Sequence, residues 1–194
     1  MERSIFLLAT FPSHNEAINI FKNISLPAET KAFALQLSHV MRSFALLRGR
    51  EELSEGWAAA GLLYAACSEV SLPDDALKNT GANEGFLSLL KLKSIPPMAE
   101  PPTASQELGA VLVTAAPLVH LISETMRVQN TAPKNLKVSA IQKRFMDKTF
   151  LPSVDRQLIR DGAKQLHWEI GNLTSKAISA IRENESAIRQ ALKN

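Results

Sequence analysis

Residues 31–70 read KAFALQLSHVMRSFALLRGREELSEGWAAAGLLYAACSEV, and the fold is decided here. Two apolar-striped segments flank a short charged turn, Arg48-Gly49-Arg50-Glu51-Glu52. In the first, Phe33, Leu35, Leu37, Val40, Met41, Phe44 and Leu47 form a broad stripe at helical spacing. Ser25 and Pro27 are its start signal and Gly49 its stop. In the second, Trp57, Leu62, Leu63 and Ala66 are spaced to face a core. Its many Ala and Gly residues let a neighbour approach closely. Two packed helices at the centre of an all-α core are the expectation.

The flanks follow the same grammar. Ser13 and Glu16 make a capping box ahead of a short helix reaching about Lys22. Ile5 to Thr10 is a short strand or a helix entry. Leu72-Pro73-Asp74-Asp75 breaks the second central helix, and Asp74 or Asp75 caps a short helix through Ala76 and Leu77. A further helix covers Gly85–Leu90. Pro96, Pro97, Pro101 and Pro102 mark a loop. Thr103 and Gln106 form a second capping box, opening a helix from Leu108 to about Met126 in which Pro117 predicts a kink.

Asn130 to Asn135 is a linker across which composition changes. Residues 1–130 carry 10 Lys+Arg against 13 Asp+Glu, or −3, whereas residues 131–194 carry 12 against 6, or +6. The chain therefore divides into a helical core domain, 1–130, and a basic C-terminal helical extension, 131–194, that packs on the core or projects from it. Val138, Ile141, Phe145 and Met146 mark the apolar side of a basic amphipathic helix. Leu151-Pro152-Ser153 starts the last element, in which Leu166, Ile170, Leu173 and Ala177 fit a heptad seam. Gly162 and Gly171 weaken that seam and predict a bend or break.

At 194 residues with 45% apolar content, the chain can bury a sizeable core. The lone Cys67 reads as a small buried hydrophobe and excludes any intrachain disulfide. The opening MERSIFLLATF lacks a basic cluster and a small-residue cleavage site, so no secretory signal is expected. No window approaches the ~18 apolar residues of a membrane span. A cytoplasmic protein of bacterial type is the expectation.

Catalytic signatures are lacking. The four histidines, His14, His39, His120 and His167, have no pair at helical-turn spacing, so no local metal motif exists. His39 and His120 read as core or groove histidines. No phosphate-binding glycine loop and no nucleophile elbow are present. The nearest basic reading surface is Lys143, Arg144, Lys148, Arg156, Arg160 and Lys164, with Trp168 beside it as a partner anchor or a core residue. Aromatic content of 6% is thin for base stacking.

The order of helices from Lys31 onward resembles the HD superfamily, and most closely its HDOD branch. KAFALQLS at 31–38 resembles the first helix, with Phe33 where the family's His belongs. AAAGLLYA at 58–65 resembles the small-residue run that ends in a His-Asp pair, with Tyr64 and Ala65 in place of the pair. EGFLSLLK at 84–91 followed by SIPP at 94–97 resembles the HDOD stretch before a Leu-Pro turn. ELGAV at 107–111 onward to Val119-His120-Leu121 resembles the last core helix, with Ser123 near the acidic position. The resemblance covers about residues 31–128. It implies an HD-like orthogonal helical bundle that has not kept the metal ligands, since Phe33, Tyr64, Ala65 and Ser123 are poor donors.

No catalytic, cofactor-binding or metal-ligating residue is expected. The first functional expectation is a non-catalytic regulatory or protein-interaction protein of signalling type, meeting another protein or itself through the C-terminal helix. The second is a nucleic-acid-associated protein using the basic 134–164 region. The third is a metal-dependent phosphohydrolase relative with a dispersed site, whose cleft would be lined by His39, His120 and carboxylates.

Overall fold

The computed structural model describes residues 10–68, 76–77 and 80–193. Among the described residues every regular element is helical. α1 (His14–Lys22) is opened by Ser13, which caps it in a reciprocal box with Glu16. α2 (Ala28–Leu47) ends at Gly49, whose φ of +65° is the left-handed turn conformation glycine adopts freely. α3 (Ser54–Cys67) follows after a 3-10 turn at Glu51–Leu53. α4 is Glu84–Leu90, capped by Asn83. The short strand or helix entry expected at Ile5 to Thr10, apart from Thr10, and the caps at Asp74 or Asp75 lie outside the described residues. Ala76 and Leu77 form a turn.

α5 (Ala104–Gln129) is the longest helix, opened by the Thr103–Gln106 capping box and closed by Asn130 at φ 46°. It starts four residues earlier than expected, and it continues unbroken past Pro117. By length and composition alone it is long and apolar enough to cross a membrane, yet 78% of its apolar window is buried inside the protein. α6 is Val138–Met146, α7 Arg156–Gln165, α8 Ile170–Glu183 and α9 Glu185–Ala191.

Two glycines set how closely the helices meet. A Cβ on Gly61 of α3 would stand 2.9 Å from the Leu37 carbonyl oxygen and 2.8 Å from Met41 Cγ, so α3 lies against the backbone of α2. Ser38 Oγ donates to the Ala58 carbonyl across the same contact at 2.9 Å. A Cβ on Gly162 of α7 would lie 1.8 Å from Thr114 Oγ1 on α5. That glycine weakens α7 as a helix and locks it onto α5 instead.

The C-terminal third packs on the body. Leu173, Ala177, Ile178, Ala180, Ile181 and Ile188 are buried in one continuous core with Leu37, Phe44 and Leu118. The heptad seam does not run through one helix. The chain breaks after Leu166, with His167 at φ 56°, and α8 starts anew at Ile170. The last element starts later than Leu151, since Asp155 caps α7 through the Leu158 amide. Met146, expected on the apolar side of α6, is 72% exposed.

Arg156 explains the irregular run before α7. Its guanidinium is buried and donates to the carbonyls of Arg144, Phe145, Asp147, Phe150, Leu151 and Val154, which gathers that loop around one cation. Only a guanidinium, with five N–H donors in a fixed fork, can serve so many carbonyls, those of Arg144, Asp147 and Phe150 sharing the two hydrogens of Nη2. Arg156→Met is expected to cost about 3 kcal/mol, since several buried carbonyls lose their donors at once. Arg156→Lys is expected to rescue little of it. Urea unfolding of both variants checks this, and wild-type stability in either would contradict it. Gly162→Ala is expected to cost about 1–3 kcal/mol by overpacking against Thr114, outweighing the gain in helix propensity.

Candidate functional site

A cleft of about 870 Å³ opens between α2, the second half of α5 and the C-terminal helices. Helical spacing builds each wall. Glu29, Phe33 and Gln36 succeed one another on one face of α2, and His120, Ser123, Glu124 and Arg127 do so on α5. Ile181 of α8 and Ile188 of α9 supply apolar floor, with Glu185 and Arg189 of α9 beside them. The size lies within the range of small-molecule sites.

Phe33 and His120 form an aromatic wall, their rings 5.4 Å apart and tilted by 41°. The cleft's cations are already engaged. Arg127 grips Glu124 through both its Nε and Nη2, the latter at 2.7 Å. Arg189 bonds Glu185 at 2.5 Å. The Arg127 hydrogen bond holds the Glu124 carboxyl below its usual range, so it stays ionised. Gln36 differs from these. It is 8% exposed, and its Oε1 is buried without a hydrogen-bond partner.

The positions singled out by the HD-like resemblance fall in two places. Phe33 and Ser123 line the cleft. Tyr64 and Ala65 do not; Ala65 is fully buried, and the Tyr64 hydroxyl donates to the Leu92 carbonyl at 2.9 Å. Among the described residues no group of three or more His, Cys, Asp or Glu side chains is placed to hold a metal ion. His120 shares the cleft with Glu29, Glu124 and Glu185, but His39 is elsewhere.

His39 instead sits with His14, Arg42 and Glu55, drawn from α1, α2 and α3. Sequence spacing gave no hint of this grouping, because tertiary packing creates it. Arg42 Nη2 bonds Glu55 at 2.8 Å, while the Nδ1 atoms of both histidines and Arg42 Nε are buried without partners. Burial, then the neighbouring Arg42 and His14, lowers the His39 pKa to about 4, and Glu55 opposes them only in part. Burial and Arg42 lower His14 as well.

The expected basic surface is only partly a surface. Lys143, Lys148 and Lys164 are exposed. Arg144 lies over the Phe150 ring at 4.4 Å and within 3.8 Å of Asp147, and Arg160 lies over Phe145 at 4.8 Å. Arg156 is a correction: it is buried and its donors are used within the fold. Trp168 is half-buried, packed edge-on against Phe44 at 5.3 Å with Arg48 over its ring. Cys67 is half-buried, not fully so.

Compared with family models, with curated proteins and with solved structures, the chain matches none.

The histidine cluster carries a pH prediction. His39 and His14 are neutral in the fold, with pKa values below the ordinary 6.5. Their contribution is intact above about pH 6.5 and is lost as pH falls toward 4, because the unfolded chain binds protons first. Thermal unfolding temperature is therefore expected to drop across that window, and His39→Gln to flatten the drop. An unchanged profile in the variant would contradict the assignment.

Proposed function

We propose that this chain is a non-catalytic regulatory helical protein, akin to an HD-like domain without its metal ligands, that acts by holding a ligand or partner in the α2–α5–α9 cleft. The observation that carries this reading is the cleft's chemistry. Phe33 stands where the resemblance calls for His and Ser123 near where it calls for an acidic residue, and neither is a good ligand for a hard cation. Two of the cleft's carboxylates, Glu124 and Glu185, are held by arginines and are not gathered around a common point. Beside them stand an aromatic wall, an apolar floor, one unsatisfied amide and Glu29 at the rim, a set suited to recognition. A partner protein meeting α9, cytoplasmic location and a signalling role belong to the same proposal.

Self-association through the heptad seam fits less well. Leu166, Leu173 and Ala177 face the protein's own core, and freeing them would expose it. For the nucleic-acid reading, the burial of Arg156 and the ring contacts of Arg144 and Arg160 leave mainly five lysines, Lys134, Lys137, Lys143, Lys148 and Lys164, for phosphate.

The test is metal analysis of the purified full chain, with phosphodiester hydrolysis assayed in added Mn²⁺. Well under one metal ion per chain and no hydrolysis above buffer are the expected results. A stoichiometric ion lost in His120→Ala would overturn the reading in favour of a dispersed catalytic site. Duplex DNA affinity that is tight and falls steeply with salt would favour the basic region instead.

A further inference from the structure

Two acceptors in the cleft stand unmet. Gln36 Oε1 is an acceptor, buried and unpartnered on the cleft wall. Glu29, at the exposed rim, has no ion pair or hydrogen bond among the described residues, and only a longer-range attraction to Arg127. Arg127 and Arg189 already have carboxylate partners, so an anionic ligand would have to displace one of them. Glu29, Glu124 and Glu185 stand against two arginines, so carboxylates outnumber guanidinium groups in the lining. Burying a polar group without a partner costs free energy that a suitable ligand would recover.

We propose that the cleft binds a small organic ammonium ion with an aromatic or aliphatic body. Its N–H groups would satisfy Gln36 Oε1 and Glu29, and its apolar body would lie on the Phe33–His120 wall and the Ile181–Ile188 floor. A cation over the Phe33 ring gains further from the ring's negative face. With unmet acceptors at Gln36 Oε1 and Glu29, both arginines already paired and an aromatic wall, the cavity favours this chemistry over phosphates and carboxylates. The proposal rests on the reading of the cleft as a recognition site.

The probe is tryptamine, with indole-3-acetate as the anion of the same ring, each titrated calorimetrically into the full chain at pH 7 and low salt. Tryptamine is expected to bind, and indole-3-acetate to bind at least about tenfold more weakly, a difference of about 1.4 kcal/mol. Gln36→Leu and Glu29→Gln are each expected to weaken tryptamine severalfold while leaving the unfolding temperature within about a degree of wild type. Gln36→Leu removes an unsatisfied polar atom and so has no stability reason to unfold the protein. Absence of tryptamine binding at millimolar concentration, equal or tighter binding of indole-3-acetate, or tryptamine binding unaffected by both variants would each overturn the proposal. So would a concentration-dependent dimer abolished by Leu192→Asp, which would place a second copy in the cleft. A stoichiometric metal ion would overturn the non-catalytic reading and leave the tryptamine comparison legible.

Discussion

Glu107 holds the protein together at the point where three parts of the chain meet. It sits in the first turn of α5, 2% exposed, and its two oxygens receive Arg48 at 2.5 Å and Arg50 at 2.8 Å from the turn between α2 and α3. A buried carboxylate is tolerable only when paired and hydrogen-bonded, and two guanidinium donors meet that condition. Its place near a helix N-terminus adds a favourable dipole. Arg48 extends the link, donating to the Leu166 carbonyl at 3.2 Å and lying over Trp168, whose ring packs on Phe44. The α2–α3 turn, the start of α5 and the α7–α8 junction are thereby fixed to one another.

That node is what makes a cleft possible at the other end of the molecule. With α2 and α5 held at the Glu107 end and α7 pressed on α5 through Gly162, α8 lies against α2 and α9 closes one side of the opening. The cleft walls are then faces of rigid helices, the placement that keeps recognition groups in fixed geometry. The same packing uses up the apolar seam of the C-terminal third.

Much of the helical frame was legible because it is written in local signals. The Ser13 and Thr103 capping boxes, the Gly49 stop and the stripe from Phe33 to Phe44 act within one or two turns of chain. The Ala and Gly content of α3 announced close packing, and Gly61 against Leu37 is that contact. The cleft was not legible, because it joins Phe33, His120 and Ile188 across more than 150 residues. Arg156 misled for a physical reason: in sequence a buried arginine serving carbonyls looks like one facing phosphate. Gly162 misled likewise, since a helix-weakening residue was also a packing contact. The partition at residue 130 followed charge, which governs the surface, whereas the core that crosses it follows apolar contacts.

The central claim is that residues on both sides of that charge boundary form one cooperative body, joined through Glu107. Native-state hydrogen exchange tests it most directly, comparing the most protected amides of α3 and α5 with those of α7 and α8. The account predicts a shared global opening free energy, lowered by the same amount in all four helices by Glu107→Gln. Opening of α7 and α8 at a distinctly lower free energy, with α3 and α5 still protected and the Glu107→Gln effect confined to one group, would contradict it.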